Sequence, residues 1–143
     1  MKLRIKKLTD TAKLPTYGTD GAAGMDLYAD EEKHLRQGEV ALLHTGIAME
    51  IPHGHVGLIV PRSGLSLRTS LRQPNCVGVI DEDYRGEVRG MFENTGCDVV
   101  KIDKGTRFAQ MLVVPYVHCE VEEVDDLGET ERGDGGFGST GVK

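Results

Sequence analysis

No stretch of this chain keeps helical periodicity for three turns. Its apolar residues come in short alternating runs, each cut by glycine or proline. Residues 2–8 alternate, with Leu3, Ile5 and Leu8 on one side. Residues 25–29 read as a brief strand with Asp26 off its apolar face. Residues 39–51 are β-branched and aliphatic, with Gly46 as a bulge or bend. Residues 55–60 alternate at Val56, Leu58 and Val60. Further runs lie at 75–80, 87–93, 99–102 and 107–124, and the last holds Pro115, which marks an edge or a break. The polar residues 30–38 fit a turn or a frayed helical turn. Only residues 62–70 leave room for a helix, a short one. Eight or more short strands at this spacing predict a sandwich or barrel rather than βαβ units.

The 143 residues fit one domain and can bury a core without disulfide staples. The net charge of −6 argues against a protein that coats nucleic acid, which carries a basic excess. A small anionic ligand remains open, because a few local arginines override the global sign. Cys76, Cys97 and Cys119 are widely spaced and form no CxxC, as expected of reduced thiols. Residues 1–8 lack an apolar leader and no apolar run reaches membrane length, so a cytoplasmic location is expected. From Leu127 the composition turns to glycine (128, 133, 135, 136, 138 and 141), with Arg132 and Phe137 among them. The chain therefore divides into a β domain over 1–126 and a mobile arm over 127–143.

Four features suit an anionic ligand. Pro61-Arg-Ser-Gly-Leu-Ser-Leu67 ends a strand and offers Arg62, Ser63 and Gly64 as donors at the start of a helical turn. Read alone, it is also an ordinary turn. Gly78-Val-Ile-Asp-Glu-Asp-Tyr-Arg-Gly86 sets Asp81 at a strand end, where a carboxylate can act on water. A solvated acidic turn is the plainer reading. Lys104-Gly-Thr-Arg-Phe-Ala-Gln110 carries Gln110 into an apolar strand, where a buried amide needs a partner. In Arg132-Gly-Asp-Gly-Gly-Phe-Gly-Ser-Thr-Gly141, glycines let backbone approach phosphates, Arg132 can fork onto phosphate oxygens and Phe137 can stack on a base. Such an arm reads as a lid. His53-Gly-His55 lacks a third ligand and reads as solvated rather than metal-binding. The acidic residues 120–126 read as a solvated face.

With Ala22-Ala-Gly-Met-Asp-Leu-Tyr-Ala29, these features resemble the five ordered motifs of the trimeric dUTPases, from about residue 15 to 141. The resemblance implies an all-β, distorted jelly-roll-like sandwich with one short helix and a flexible arm. It implies a homotrimer in which the arm closes a neighbour's site. The implied reaction is dUTP plus water to dUMP plus pyrophosphate, with attack on the α-phosphorus and Mg²⁺ bridging the triphosphate. Such an activity keeps uracil out of DNA and supplies dUMP for thymidylate synthesis. By position, Asp81 matches the residue that activates water, and Tyr84 the one under deoxyribose. Asn75 and the backbone of Gly78, Val79, Ile80 and Asp81 match the uracil-reading hairpin, and Arg89 a position that contacts ligand through backbone. Arg62, Ser63, Gly64 and Gln110 match phosphate contacts. Arg132 matches the γ-phosphate contact, and Phe137 with Gly138 the cap on the base. Asp26 matches a carboxylate that touches the ion through water. No nucleic-acid or membrane partner is implied, and the location is the cytoplasm, or the host cytoplasm for a viral source.

Two rivals share the scaffold. In dCTP deaminases a glutamate serves on the strand after the Gly86-type turn, where this chain has Met91, with Glu93 two residues later on the same strand face. A non-enzymatic nucleotide sensor would lack reactive positions that are all occupied here. Arg68-Thr69-Ser70 replaces a glycine common in the family, and the run from Glu87 to Asn94 is polar for a core strand, as expected of a face toward a trimer channel or solvent.

Overall fold

Alternating segments become strands where a neighbouring segment can take their hydrogen bonds, and distant parts of this chain supply those neighbours. A computed structural model describes residues 1–136. The elements in order are β1 (Arg4–Lys7), β2 (Thr16–Tyr17), β3 (Met25–Tyr28), β4 (Lys33–Leu35), β5 (Val40–Glu50) and β6 (His55–Pro61). They continue with α1 (Ser63–Arg68), β7 (Leu71–Arg72), β8 (Gly78–Ile80), β9 (Glu87–Asn94), β10 (Val100–Ile102) and β11 (Arg107–Pro115). One sheet runs β1-β5-β9-β7, a second runs β2-β3-β11-β6-β8, and β10 and β4 form a ribbon. The fold is a jelly-roll-like β-sandwich with one short helix among the described residues, as expected. Among the described residues no helix is long and apolar enough to cross a membrane.

The core lies between the sheets. Leu43, Ile47, Val88 and Phe92 enter it from the first sheet, and Leu27, Ile59, Phe108 and Met111 from the second. Phe92 meets Phe108 edge to face, with ring centroids 5.8 Å apart. Each large buried side chain contributes about 1.5–3 kcal/mol against an extended chain, an upper bound. Strand β9 explains its own polar composition. Val88, Gly90, Phe92 and Asn94 point inward, while Glu87, Arg89, Met91 and Glu93 line the outer face. The buried Asn94 amide is fully used: it donates to the carbonyls of Leu35 and Asp98 and accepts from Ser70 Oγ and the Gly96 N–H.

Gly46 is the expected bend. It has φ 65°, and the β5–β9 register shifts between His44 and Ala48. A Cβ there would sit 2.6 Å from Asp30 Oδ2 and 2.9 Å from Ala12 Cβ, so only glycine fits. The bend makes room for a clasp in which Asp30 accepts hydrogen bonds from Thr9 and Thr11, with Lys104 at 3.4 Å. Burial opposes ionisation of Asp30. The Thr9, Thr11 and Lys104 hydrogen bonds outweigh it and hold the carboxyl below its usual range.

Elsewhere the structure differs from the sequence reading. The polar run 30–38 contains β4, which needs one buried residue, Leu35, and the partner strand β10. The run from 75 to 80 is strand only from Gly78. Cys76 takes φ 59°, and its N–H donates to the Gln73 carbonyl, turning the chain first. Strand β11 stops at Pro115, and the following residues to 127 are exposed without regular structure. Leu8 is exposed, whereas Leu3 and Ile5 pack on the core. Asp26 does lie off the apolar face, on a side covered by Arg62 and Arg107 that leaves it only 6% exposed. Phe137 and Gly138 lie outside the described residues.

Candidate functional site

The second sheet brings the first and fourth motifs together. Strand β11 pairs with β3 on one side and β6 on the other, with Gln110 opposite both Asp26 and Val60. Asp26, Gln110 and the chain leaving β6 toward Arg62 therefore meet at one end of the sheet. Asp26 Oδ1 lies 2.7 Å from Arg62 Nε, and its Oδ2 lies 3.1 Å from Arg107 Nη1. Gln110 Nε2 donates to the Pro61 carbonyl at 3.4 Å. With Thr19, Ser63 and Gly64, these residues line a cavity of about 320 Å³.

The charges explain what such a cavity attracts. Two guanidinium groups face one buried carboxylate, so the cluster keeps one net positive charge. The carboxylate also fixes both arginines before any ligand arrives, which reduces the entropy lost on binding an anion. Backbone and hydroxyl donors at Ser63 and Gly64 add partners for phosphate oxygens.

Arg107 is the residue that sequence reading passed over, although it stands inside the quoted fourth motif. Strict alternation sends Arg107 and Gln110 to opposite faces. The β3–β11 register shifts between Arg107 and Ala109, and this irregularity re-aims Arg107 toward Asp26.

The third motif builds a second cluster. Among the described residues strand β8 pairs only with β6, Ile80 opposite Gly57 and Gly78 opposite Ile59. After β8 the chain turns, with the Tyr84 N–H donating to the Asp81 carbonyl at 3.2 Å. Asp81 is exposed on this turn. The Tyr84 hydroxyl donates to the Glu87 carbonyl at 3.0 Å, and its ring lies over Gly86. A Cβ on Gly86 would stand 2.5 Å from the ring, so the glycine makes this ring position possible. Glu87 was not singled out in the sequence, yet it anchors the turn. Its Oε2 lies 2.8 Å from His44 Nδ1, and its Oε1 accepts from the Gly46 N–H. Asp81, Tyr84, Ile80, Val79 and Arg89 line a cavity of about 230 Å³ with Leu42 and Glu87. Asn75 is exposed on the loop before β8.

The two clusters line separate cavities of one chain. Arg132 joins neither. It is exposed, and its Nε donates to the Gly135 carbonyl at 2.7 Å. His53 and His55 do not converge, since His53 Nδ1 faces Glu82 and His55 Nδ1 faces the His53 carbonyl. Among the described residues no group of three His, Cys, Asp or Glu side chains is arranged to hold a metal ion.

Comparison with known proteins bears on these clusters. The dUTPase family model matches residues 10–141. The deoxyuridine 5'-triphosphate nucleotidohydrolase of Alkaliphilus metalliredigens is 48% identical over 141 residues, covering 99% of this chain and 98% of that protein. Its counterpart in Hydrogenobaculum sp. is 48% identical over 144 residues, covering 100% of both. The Staphylococcus bacteriophage 80alpha dUTPase, solved with dUPNHPP, superposes with a TM-score of 0.93 at 31% identity, covering 99% of each chain. A point mutant of the dUTPase from phage phi11 of S. aureus superposes with a TM-score of 0.85 at 25% identity, covering 90% of this chain and 100% of that one. That structure concerns the coordination of a structural Mg(II) ion.

Proposed function

The chain belongs to the dUTPase family, and we propose from that membership that it hydrolyses dUTP to dUMP and pyrophosphate. The observation that carries the reading is a positively charged cavity in the same chain as an exposed carboxylate at a strand end beside a tyrosine ring. Asp81 takes a proton from water, and the water oxygen bonds to the α-phosphorus. The bond from that phosphorus to the oxygen bridging the β-phosphate breaks, and pyrophosphate leaves. Arg62, Arg107, Ser63, Gly64 and Gln110 hold the triphosphate and offset its charge. Tyr84 supports the deoxyribose, Arg89 stands beside it, and Asn75 with the backbone of Gly78, Val79 and Ile80 reads the base. Backbone donors and acceptors distinguish uracil from cytosine because a mismatched edge leaves buried groups unpaired. Hydrolysis removes dUTP before polymerases use it and yields the dUMP from which thymidylate is made.

Mg²⁺ fits this site in one manner only. Both Asp26 oxygens face arginines, so its carboxylate is suited to touch an ion through water rather than directly. Mg²⁺ keeps several waters and takes phosphate oxygens readily, so no protein cage is needed. When bound, it neutralises charge on the triphosphate.

The working unit is a homotrimer. Two clusters in separate cavities of one chain call for residues from a second copy. The apolar side chains of Leu67, Val117, Val121 and Leu127, 84–94% exposed in one chain, call for cover. The arm over 127–143 closes a neighbouring subunit's site, with Arg132 on the γ-phosphate and Phe137 with Gly138 over the base.

The test is pyrophosphate release from dUTP, dTTP, dCTP and UTP with Mg²⁺. Release from dUTP at least about tenfold faster than from the others is expected, from hydrogen-bond and steric rejection together. Ammonia release from dCTP would overturn the reading in favour of a deaminase.

A further inference from the structure

Two neighbouring residues of a distant turn converge on one carboxylate beside Asp81. Glu82 Oε1 lies 2.9 Å from His53 Nδ1, and Oε2 accepts the Gly54 N–H, both in the turn between β5 and β6. Tyr116, the first residue past β11, lines the same cavity as Glu82. Gly54 is held from its other side too, because its carbonyl accepts the Tyr116 N–H at 3.1 Å. The Glu82 carbonyl takes the Arg85 guanidinium at 2.6 Å. Asp81, Glu82 and Asp83 place three carboxylates in succession, and their mutual repulsion favours a splayed turn. Partners for the middle one oppose that splaying. A cavity of about 570 Å³ lies against this knot, lined by Val56, Val79, Asp81 and Tyr116 among others.

We propose that Glu82 is a positioning residue for Asp81. It clamps the Asp81 turn to His53 and Gly54 of the β5–β6 turn, which the Tyr116 N–H holds from the other side. This rests on Asp81 being the base in the proposed hydrolysis. Glu82 acts through Asp81 rather than on the substrate. The His53 hydrogen bond first, and the Gly54 N–H next, hold the Glu82 carboxyl below its usual range. The Tyr116 N–H on the Gly54 carbonyl joins the clamped turn to the end of β11.

The test compares the full-length parent with Glu82→Ala, Glu82→Gln, His53→Ala and the double variant Glu82→Ala/His53→Ala. Two readouts are taken: hydrogen–deuterium exchange of the amides of residues 81–84, and kcat and KM for dUTP. In Glu82→Ala, exchange at 81–84 is expected to rise and kcat to fall at least about tenfold with KM within about threefold, the signature of a misplaced reacting group. His53→Ala gives a smaller change, and the double variant is no worse than Glu82→Ala, because both remove one tie. Glu82→Gln keeps an acceptor for Gly54 and recovers most of kcat. Unchanged exchange in a folded Glu82→Ala protein overturns the proposal. So does raised exchange with kcat within twofold of the parent, or additivity in the double variant. A parent that releases no pyrophosphate from dUTP strikes the proposed activity instead, and the exchange readout still decides whether the clamp exists.

Discussion

The two clusters are built in opposite ways. The arginine-bearing one sits at the end of the inner strands of a five-stranded sheet, and its carboxylate, Asp26, is buried between two arginines. The Asp81 cluster rides on a three-residue edge strand, and its carboxylate is exposed. Ties from side chain to backbone hold its turn: Glu87 to Gly46, Glu82 to Gly54, and Tyr84 to the Glu87 carbonyl. A site that receives several negative charges gains from cations fixed before the ligand arrives, and a sheet interior supplies that rigidity. A carboxylate that must reach a water needs access, and an edge supplies it. The edge has fewer cooperative contacts to resist opening, so single hydrogen bonds matter more there.

The largest expected effect breaks the comparison on the edge side. Asp81→Asn should lower kcat by about 10²–10⁴-fold while keeping affinity for a non-hydrolysable dUTP analogue, as loss of a general base does. Steady-state kinetics with a binding isotherm checks this, and parental turnover would remove Asp81 from the chemistry. A smaller effect sharpens the sheet side. Arg107→Ala should raise KM about tenfold, equivalent to about 1.4 kcal/mol, with a lesser change in kcat. Its stability cost in urea melts should be only about 1 kcal/mol, well below that of a fully buried pair, because the Arg107 side chain is 48% exposed. A change confined to kcat would make Arg107 part of the reacting centre rather than of the binding half.

The smallest effect concerns acid. The carboxyls of Asp30 and Glu82 sit below their ordinary values in the folded chain. Between folded and ordinary values the unfolded chain binds more protons, so stability rises with pH across that window. The contribution is complete above the ordinary values of 3.8 and 4.5, and is lost as pH falls through the folded ones. Urea midpoints should therefore hold steady from pH 7 to 5 and fall below about 4.5. A flat profile down to pH 3 would mean that neither clasp favours the folded state.

Much of this architecture was legible because strand-forming information is local. Alternation marked the runs at 55–60 and 87–93, and Gly46 announced a bend that its neighbours allow no other residue to make. The end of β8 at Ile80 put Asp81 at a strand terminus, and the short helix fell within 62–70. Strand β4 escaped because two of its three residues are polar and not fully buried, and its existence depends on β10 about 65 residues later.

The residue pattern settled which faces are apolar, where turns fall, and which side chains with reactive groups stand at strand ends. Hydrophobic period and glycine conformation act within a few residues. The ion pairs of Asp26, the re-aimed Arg107 and the anchoring of Asp81 by Glu82 and Glu87 came from folding alone. Asp26 and Arg107 are 81 residues apart, and they meet because a shifted register turns one side chain through the sheet. No local period encodes that contact, since the electrostatic gain exists only once the strands that carry the charges have paired.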